Sequence, residues 1–388
     1  MVKRLLAGLA TFTIANVSVF FPAAVGHADN QVQIDQKVKD SIVYVSIAIT
    51  GYVRIPGSAT DDGKPKWSDA TEVDYTCTGF IVDPAGYIAT AGHCVNIDSD
   101  TKEDIRSQMI SDLVSNGQLD ESKKDDVTNT ANDEEWPVEG QNPESPIQRV
   151  VQVVQPEGPH RVINQFTTAQ VVDAQSFDDG DNAVLKVSGL PPLQPLVIAH
   201  KDPEDGTPVT SIGFPGDVGD SSDQSRLQQP SFKSGTASSQ QVSKTGVVGT
   251  EINADLGSGM SGGPTVDNNT GEVLGINSYA LTGSSNGVDQ NFNFITSAPA
   301  LRIFLQKNGV ELAEPAKPAR PFPWIWVIAG GSAAALVVIG LLGALLIRKR
   351  RLPAPADQLV PTAEMTSAPQ APSQPAPGDG PSSGSTST

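Results

Sequence analysis

Gly257-Ser258-Gly259-Met260-Ser261-Gly262-Gly263-Pro264 decides the reading of this chain. β-rich sequence leads into it. Thr265-Val266-Asp267 and Gly271-Glu272-Val273-Leu274-Gly275-Ile276 follow, and they read as strand, turn and strand. Ser261 is therefore expected at a sharp bend with its hydroxyl exposed. Glycines at 259, 262 and 263 permit positive φ and close approach of a second chain. The same bend can aim the N–H groups of Gly259 and Ser261 at one point, which suits an oxyanion. A serine hydroxyl is a weak nucleophile alone. It needs a base, and the base needs an orienting group.

Outward from the serine, one histidine stands apart. Strand-like Thr76-Cys77-Thr78-Gly79-Phe80-Ile81-Val82 and Tyr87-Ile88-Ala89-Thr90 flank the turn Asp83-Pro84-Ala85-Gly86, a hairpin ending at Ala91-Gly92-His93-Cys94. His93 thus sits where a strand stops, a place that can fix an imidazole as general base. Of the other three histidines, His27 lies at the end of a leader, and His160 and His200 fall in polar loops. For the orienting carboxylate, the turn Asp178-Asp179-Gly180-Asp181 feeds the apolar strand Asn182-Ala183-Val184-Leu185-Lys186-Val187. Asp181 stands nearest the strand, but three aspartates compete and any one could be a turn cap. A calcium loop lacks the EF-hand ligand spacing.

The two cysteines, Cys77 and Cys94, suggest one disulfide in a chain that looks exported. Unpaired buried thiols are the alternative. A zinc site of Cys77, His93 and Cys94 fits worse, since adjacent residues chelate poorly together and no fourth ligand is in view. No metal or cofactor is expected.

The flanks are not ordinary domain sequence. Lys3-Arg4, an apolar run over 5–25 and small residues at Gly26 and Ala28 read as a signal peptide, 1–28, cut after Ala28, with an uncleaved signal anchor as the alternative. Residues 310–323 read as a Pro-rich linker. Residues 324–347 carry no charge and are long enough as a helix to span a bilayer. Arg348-Lys349-Arg350-Arg351 follows, which places the C-terminus in the cytoplasm, and 348–388 reads as a disordered tail. The expected location is the cell membrane, single-pass, with the folded part outside the cytoplasm.

The formal charge is −18. Setting aside the bases at both ends and the acids of the tail leaves 20 basic against 41 acidic residues, near −21. A domain so acidic repels nucleic acid and anionic lipid. Much of the excess lies between Asp98 and Glu135, with twelve acids and four bases. Ile105, Met109, Ile110 and Leu113 recur there at helical spacing. Residues 96–146 are read as an acidic insertion with one amphipathic helix. A solvated excursion is the favoured reading, with gating of the cleft or docking of a partner as alternatives.

About a dozen short strands are expected, from 41–49 to 291–296, and then a helix over 298–307 capped by Ser297. Such spacing suggests a barrel or a pair of barrels. The fold class is all-β.

Thr90-Ala91-Gly92-His93-Cys94, Asp181-Asn182-Ala183-Val184-Leu185 and Gly259-Met260-Ser261-Gly262-Gly263-Pro264 resemble the three motifs of trypsin-like serine proteases, in that family's order. Lys233-Ser234-Gly235-Thr236-Ala237-Ser238, Gly271-Glu272-Val273-Leu274-Gly275-Ile276-Asn277 and residues 292–305 resemble bacterial HtrA-type members. The resemblance spans about residues 38–309 without the insertion. It implies two six-stranded antiparallel barrels within a protease domain over 29–309. It implies Ser261 as nucleophile, His93 as base then acid, Asp181 as orienting carboxylate, and Gly259 and Ser261 as backbone oxyanion donors. Proteins or peptides would be the substrates. Cys77 and Cys94 resemble the disulfide that brackets the histidine in animal trypsins. Asp255, six residues before Ser261, stands where trypsins hold the acid selecting Lys or Arg. Three features depart from HtrA-type chains. No PDZ-like segment follows 309, the membrane segment is C-terminal, and Met260 stands where many members have Asn or Asp.

Two other classes fit the sequence less well. A protease fold without turnover, acting as a binding module, is disfavoured because all three motif residues are present. An α/β-hydrolase esterase needs a helix after the serine and a histidine beyond it, and no histidine follows His200.

Overall fold

The computed structural model describes residues 27–60, 62–216, 218, 226–285, 288–315 and 337–347. Two units are present, divided between Ala316 and Lys317. Among the described residues the first carries all the β structure.

It opens on helix α1 (His27–Ser41), which the sequence reading left unassigned. Ile34 and Val38, one turn apart, are buried against the core. Strand β1 (Ile42–Ile55) follows, with buried and partly exposed positions alternating along its length. Short β2 (Lys66–Trp67), then β3 (Thr71–Asp83) and β4 (Tyr87–Ala91), complete the first set. The expected turn joins β3 to β4: Ala85 N donates to Asp83 Oδ1 at 2.7 Å, and Gly86 takes φ +98°.

The insertion holds two helices where one was expected, α2 (Ser99–Ser115) and α3 (Lys124–Asp133). Nor is it only a solvated excursion. Ile105, Met109 and Ile110 are buried in the same core as β1 and β3, and Leu113 packs beside them. Buried Arg106 ties the pieces together, donating to Asn132 Oδ1 at 2.8 Å and to the carbonyl of buried Trp136 at 3.1 Å. Charge dominates the composition here and hides this small apolar stripe.

The chain then makes β5 (Val138–Glu139), β6 (Gln148–Val154), β7 (Thr167–Thr168), β8 (Gln170–Ala174) and β9 (Asn182–Lys186). The order across this sheet is β7-β6-β1-β3-β4-β9-β8, with β2 and β5 paired to the outer half of β1. It is not the closed six-stranded barrel expected. Its two edge strands are nevertheless consecutive pieces of one segment, 167–174. At the seam Ala169 N donates to Val151 O at 2.9 Å. A sheet whose edges are joined by a single residue must curl, so it forms a half-barrel with a seam at Ala169.

The second set is β10 (Pro208–Gly213), β11 (Ser231–Val242), β12 (Val248–Ile252), β13 (Pro264–Asp267), β14 (Val273–Ser285) and β15 (Val288–Thr296). These close as a six-stranded barrel, β10-β11-β12-β15-β14-β13. Closure removes every free edge. Helix α4 (Ala298–Lys307) follows, its N-terminus capped by Ser297 as expected.

The expected linker starts later than 310. Val310 is buried, Glu311 N donates to Asp83 Oδ2, and Glu314 accepts from both Arg302 and His200. Residues 310–315 are thus bound to the first unit.

Residues 1–26 of the expected signal peptide, 324–336 of the expected span and the tail lie outside the described residues. Of the second unit, 337–347 is described, and it is helical and apolar. Among the described residues no helix is long and apolar enough to cross a membrane.

Candidate active site

The three sequence motifs converge where the two strand sets meet. Ala91 ends β4, and Gly92 turns the chain so that His93 leaves the sheet. A Cβ on Gly92 would fall 2.0 Å from the Gln175 carbonyl, so only glycine fits. The turn is held because Val95 N and Asn96 N both donate to Gly92 O.

Of the three aspartates, Asp181 is the one that meets His93. Asp178 and Asp179 are exposed, and Asp179 accepts from Ser176 Oγ as a turn residue. Asp181 is 2 % exposed and takes φ +53°, a left-handed conformation that aspartate tolerates better than most residues. Its Oδ2 lies 2.9 Å from His93 Nδ1, and its Oδ1 accepts from the His93 backbone N–H at 2.8 Å. A ring Nδ1 so placed carries the hydrogen, which leaves the lone pair on Nε2. Burial pushes the imidazole pKa down. The hydrogen bond and charge of Asp181, with a smaller contribution from Asp98, outweigh it and hold the pKa above the ordinary histidine value.

A fourth polar residue joins them. Ser278, buried on β14, donates its hydroxyl hydrogen to Asp181 Oδ2. Asn277 beside it donates to Met260 O and Ile212 O and accepts from Thr265 Oγ1. Neither is marked in the sequence as a site residue. The available signal was a polar pair closing the apolar run Val273-Leu274-Gly275-Ile276.

Ser261 is brought to the same corner. Cys77 and Cys94 form a disulfide, as expected, so neither offers the thiolate a zinc site would need. Cys94 Sγ touches His93 Nε2 at 3.9 Å and the Ser261 carbonyl at 3.8 Å. The sulfur thus touches both the ring and the backbone of the serine. Among the described residues, no hydrogen bond joins Ser261 Oγ to His93 Nε2.

At the bend two of the three glycines take positive φ, while Gly263 is needed for close packing instead, since a Cβ there would fall 2.0 Å from the Ile212 carbonyl. Gly259 and Gly262 take φ +87° and +84°. The Ser258 carbonyl accepts from Gly216 N at 2.8 Å. C=O and N–H of a trans peptide point in opposite directions, so the Gly259 N–H faces away from Gly216. The Met260 carbonyl likewise accepts from Gly263 N and Asn277 Nδ2, which turns the Ser261 N–H outward. Among the described residues neither N–H has an internal acceptor.

Beside the serine lies a cavity of about 220 Å³, lined by Leu256, Gly257, Ser258, Ser261, Asn277, Ser278 and Tyr279. Asp255 does not line it and is exposed. The Tyr279 ring stacks on Phe294 and meets Phe177, whose ring is 6.1 Å from that of His93.

Comparison with protein families matches residues 77–276 to the trypsin-like peptidase domain. The chain belongs to that family. No curated protein matches it. As a trypsin-like peptidase it has a serine-protease type of domain, with proteins or peptides as the implied substrates.

Proposed function

We propose that this trypsin-like peptidase is a serine endopeptidase, nearest in kind to HtrA-type enzymes, working through His93, Asp181 and Ser261. The observation that carries the reading is the buried Asp181 carboxylate, held by Ser278 and bonded to His93 Nδ1. With the hydrogen on Nδ1, the lone pair of Nε2 accepts the Ser261 hydroxyl proton. Oγ then bonds to the substrate carbonyl carbon. The carbonyl π electrons move to oxygen, where the N–H groups of Gly259 and Ser261 receive the charge. The C–N bond breaks as the imidazolium returns its proton to the leaving amine. Water repeats the sequence on the acyl-enzyme and frees Ser261. No metal or cofactor is required by these steps.

We also read the chain as exported and tethered by one C-terminal span, with its tail in the cytoplasm. Support comes from the apolar leader, the uncharged run 324–347 and the basic cluster after it. The apolar helix at 337–347 agrees with that run.

A catalytically silent binding module is the second reading. It rests on the missing hydrogen bond between Ser261 Oγ and Nε2, a bond that often tightens only with substrate bound. The test is labelling by a fluorophosphonate together with peptide hydrolysis. Both should vanish in Ser261→Ala. A folded wild-type chain that ignores the probe would establish the silent reading, and hydrolysis persisting in Ser261→Ala would overturn the mechanism.

A further inference from the structure

We propose that Thr78 is a positioning residue that sets the oxyanion site, acting from the half-barrel on the serine bend of the closed barrel. The inference rests on the peptidase reading above. Thr78 lies on β3, fully buried, one residue after Cys77. Its Oγ1 donates to the Gly259 carbonyl at 2.8 Å and accepts from Phe214 N at 3.0 Å. Its backbone N–H donates to the Ser261 carbonyl at 2.8 Å, and its carbonyl accepts from Thr90 Oγ1 at 2.7 Å. One residue therefore grips both ends of Gly259-Met260-Ser261.

The closed barrel is shaped to receive it. A Cβ on Gly213 would fall 2.9 Å from Thr78 Oγ1, one on Gly263 3.0 Å from its Cγ2, and one on Gly262 2.2 Å from its carbonyl oxygen. Three glycines thus clear the space that Thr78 occupies.

The consequence lies in the two peptide planes that meet at Gly259. Gly216 N fixes the plane before it, through the Ser258 carbonyl. The plane after it is held twice, by the Thr78 hydroxyl on the Gly259 carbonyl and by the Met260 N–H donating to Gly257 O at 3.0 Å. Glycine at φ +87° gives little steric resistance to rotation. The Gly259 N–H lies in the plane that Gly216 anchors, and the grip on the following plane limits how far it can swing about the glycine. Without the Thr78 hydroxyl the second plane keeps only the Met260 bond to Gly257, and the donor's aim slackens where negative charge develops. Thr78 does not line the adjacent cavity, so ground-state binding of the peptide should change little.

The experiment compares the full wild-type chain with Thr78→Val and Thr78→Ser. It uses the peptide anilide that wild type cleaves best and the aldehyde of the same peptide, whose hemiacetal oxygen occupies the oxyanion site. Thr78→Val should lower kcat by about tenfold to a hundredfold, less than outright loss of an oxyanion donor. KM should change less than about threefold, and aldehyde affinity should fall in parallel with kcat. Thr78→Ser keeps the hydroxyl and should restore kcat to within about threefold of wild type, even if its melting temperature drops. If Thr78→Val does not fold, Thr78→Ala takes its place in the same assays. Wild-type turnover with an unchanged kcat in the variant that folds overturns this inference. So does a loss that appears in KM alone, or one that Thr78→Ser shares. A wild-type chain without turnover overturns the peptidase reading instead.

Discussion

Ser278 on the closed barrel donates its hydroxyl hydrogen to Asp181 on the half-barrel, so the carboxylate that orients His93 is held from both sides of the interface. Hydrogen bonds to a buried charged group contribute about 1.5–3 kcal/mol. Ser278→Ala should therefore lower kcat/KM by roughly tenfold to a hundredfold. Asp181→Asn, which also upsets the tautomer, should lower kcat by about 10⁴. Steady-state kinetics on the two variants checks the ranking. A Ser278→Ala chain as impaired as Asp181→Asn would mean that the serine does more than support the carboxylate.

The pH profile follows from the same pair. Asp181 raises the His93 pKa above the ordinary value of about 6.5. A general base must be neutral, so activity should appear as pH rises through this elevated value. Stability runs the other way. The protonated ring gains from Asp181 only in the folded chain, so its contribution is full below about pH 6.5 and is lost as pH rises through the folded value. Asp181→Asn removes the main raising influences while burial still lowers the pKa. The acid limb of kcat/KM should move to lower pH, measurable on the residual activity. A limb that stays in place would detach Asp181 from the titration.

Much of this site was legible because its chemistry is local in sequence. Glycines at 259, 262 and 263 announce a bend, and a histidine after a strand announces a fixed ring. Asp181 could be ranked above Asp178 and Asp179 only by position, because turn aspartates look alike until burial separates them. Ser278 and Thr78 were not legible. Their roles come from tertiary contacts with residues 97 and 181 positions away. The half-barrel seam at Ala169 was hidden for a similar reason. Strand propensity finds segments, whereas closure depends on which edges meet. In the insertion, Ile105, Met109 and Ile110 gave the right helical face, but the surrounding acids masked the buried anchor Arg106.

Specificity should not depend on Asp255. That side chain is exposed, and the cavity beside Ser261 is lined without it. A carboxylate outside the cavity in high dielectric contributes little to recognition of a Lys or Arg side chain. Asp255→Asn should leave the order of preferred P1 residues unchanged in cleavage-site profiling on a peptide library. Selective loss of cleavage after Lys or Arg would bring Asp255 back into the recognition site.

Removing the disulfide should separate folding from catalysis. Cys77 and Cys94 are 17 residues apart, and closing a loop of that size stabilises a fold by about 3 kcal/mol. The double variant Cys77→Ala/Cys94→Ala should lose about that much in a denaturant titration. A second effect is expected where both proteins remain folded. Cys94 Sγ packs against His93 Nε2 and the Ser261 carbonyl, so its loss opens space between the His93 ring and Ser261. The Gly92 turn keeps its own backbone bonds to Val95 and Asn96, so His93 is loosened without being released. A fall in kcat/KM of roughly tenfold is expected, in line with the sensitivity of a reacting pair to small misplacement. Lost stability with full activity would show that the serine bend and Asp181 hold the site without help from the sulfur bridge.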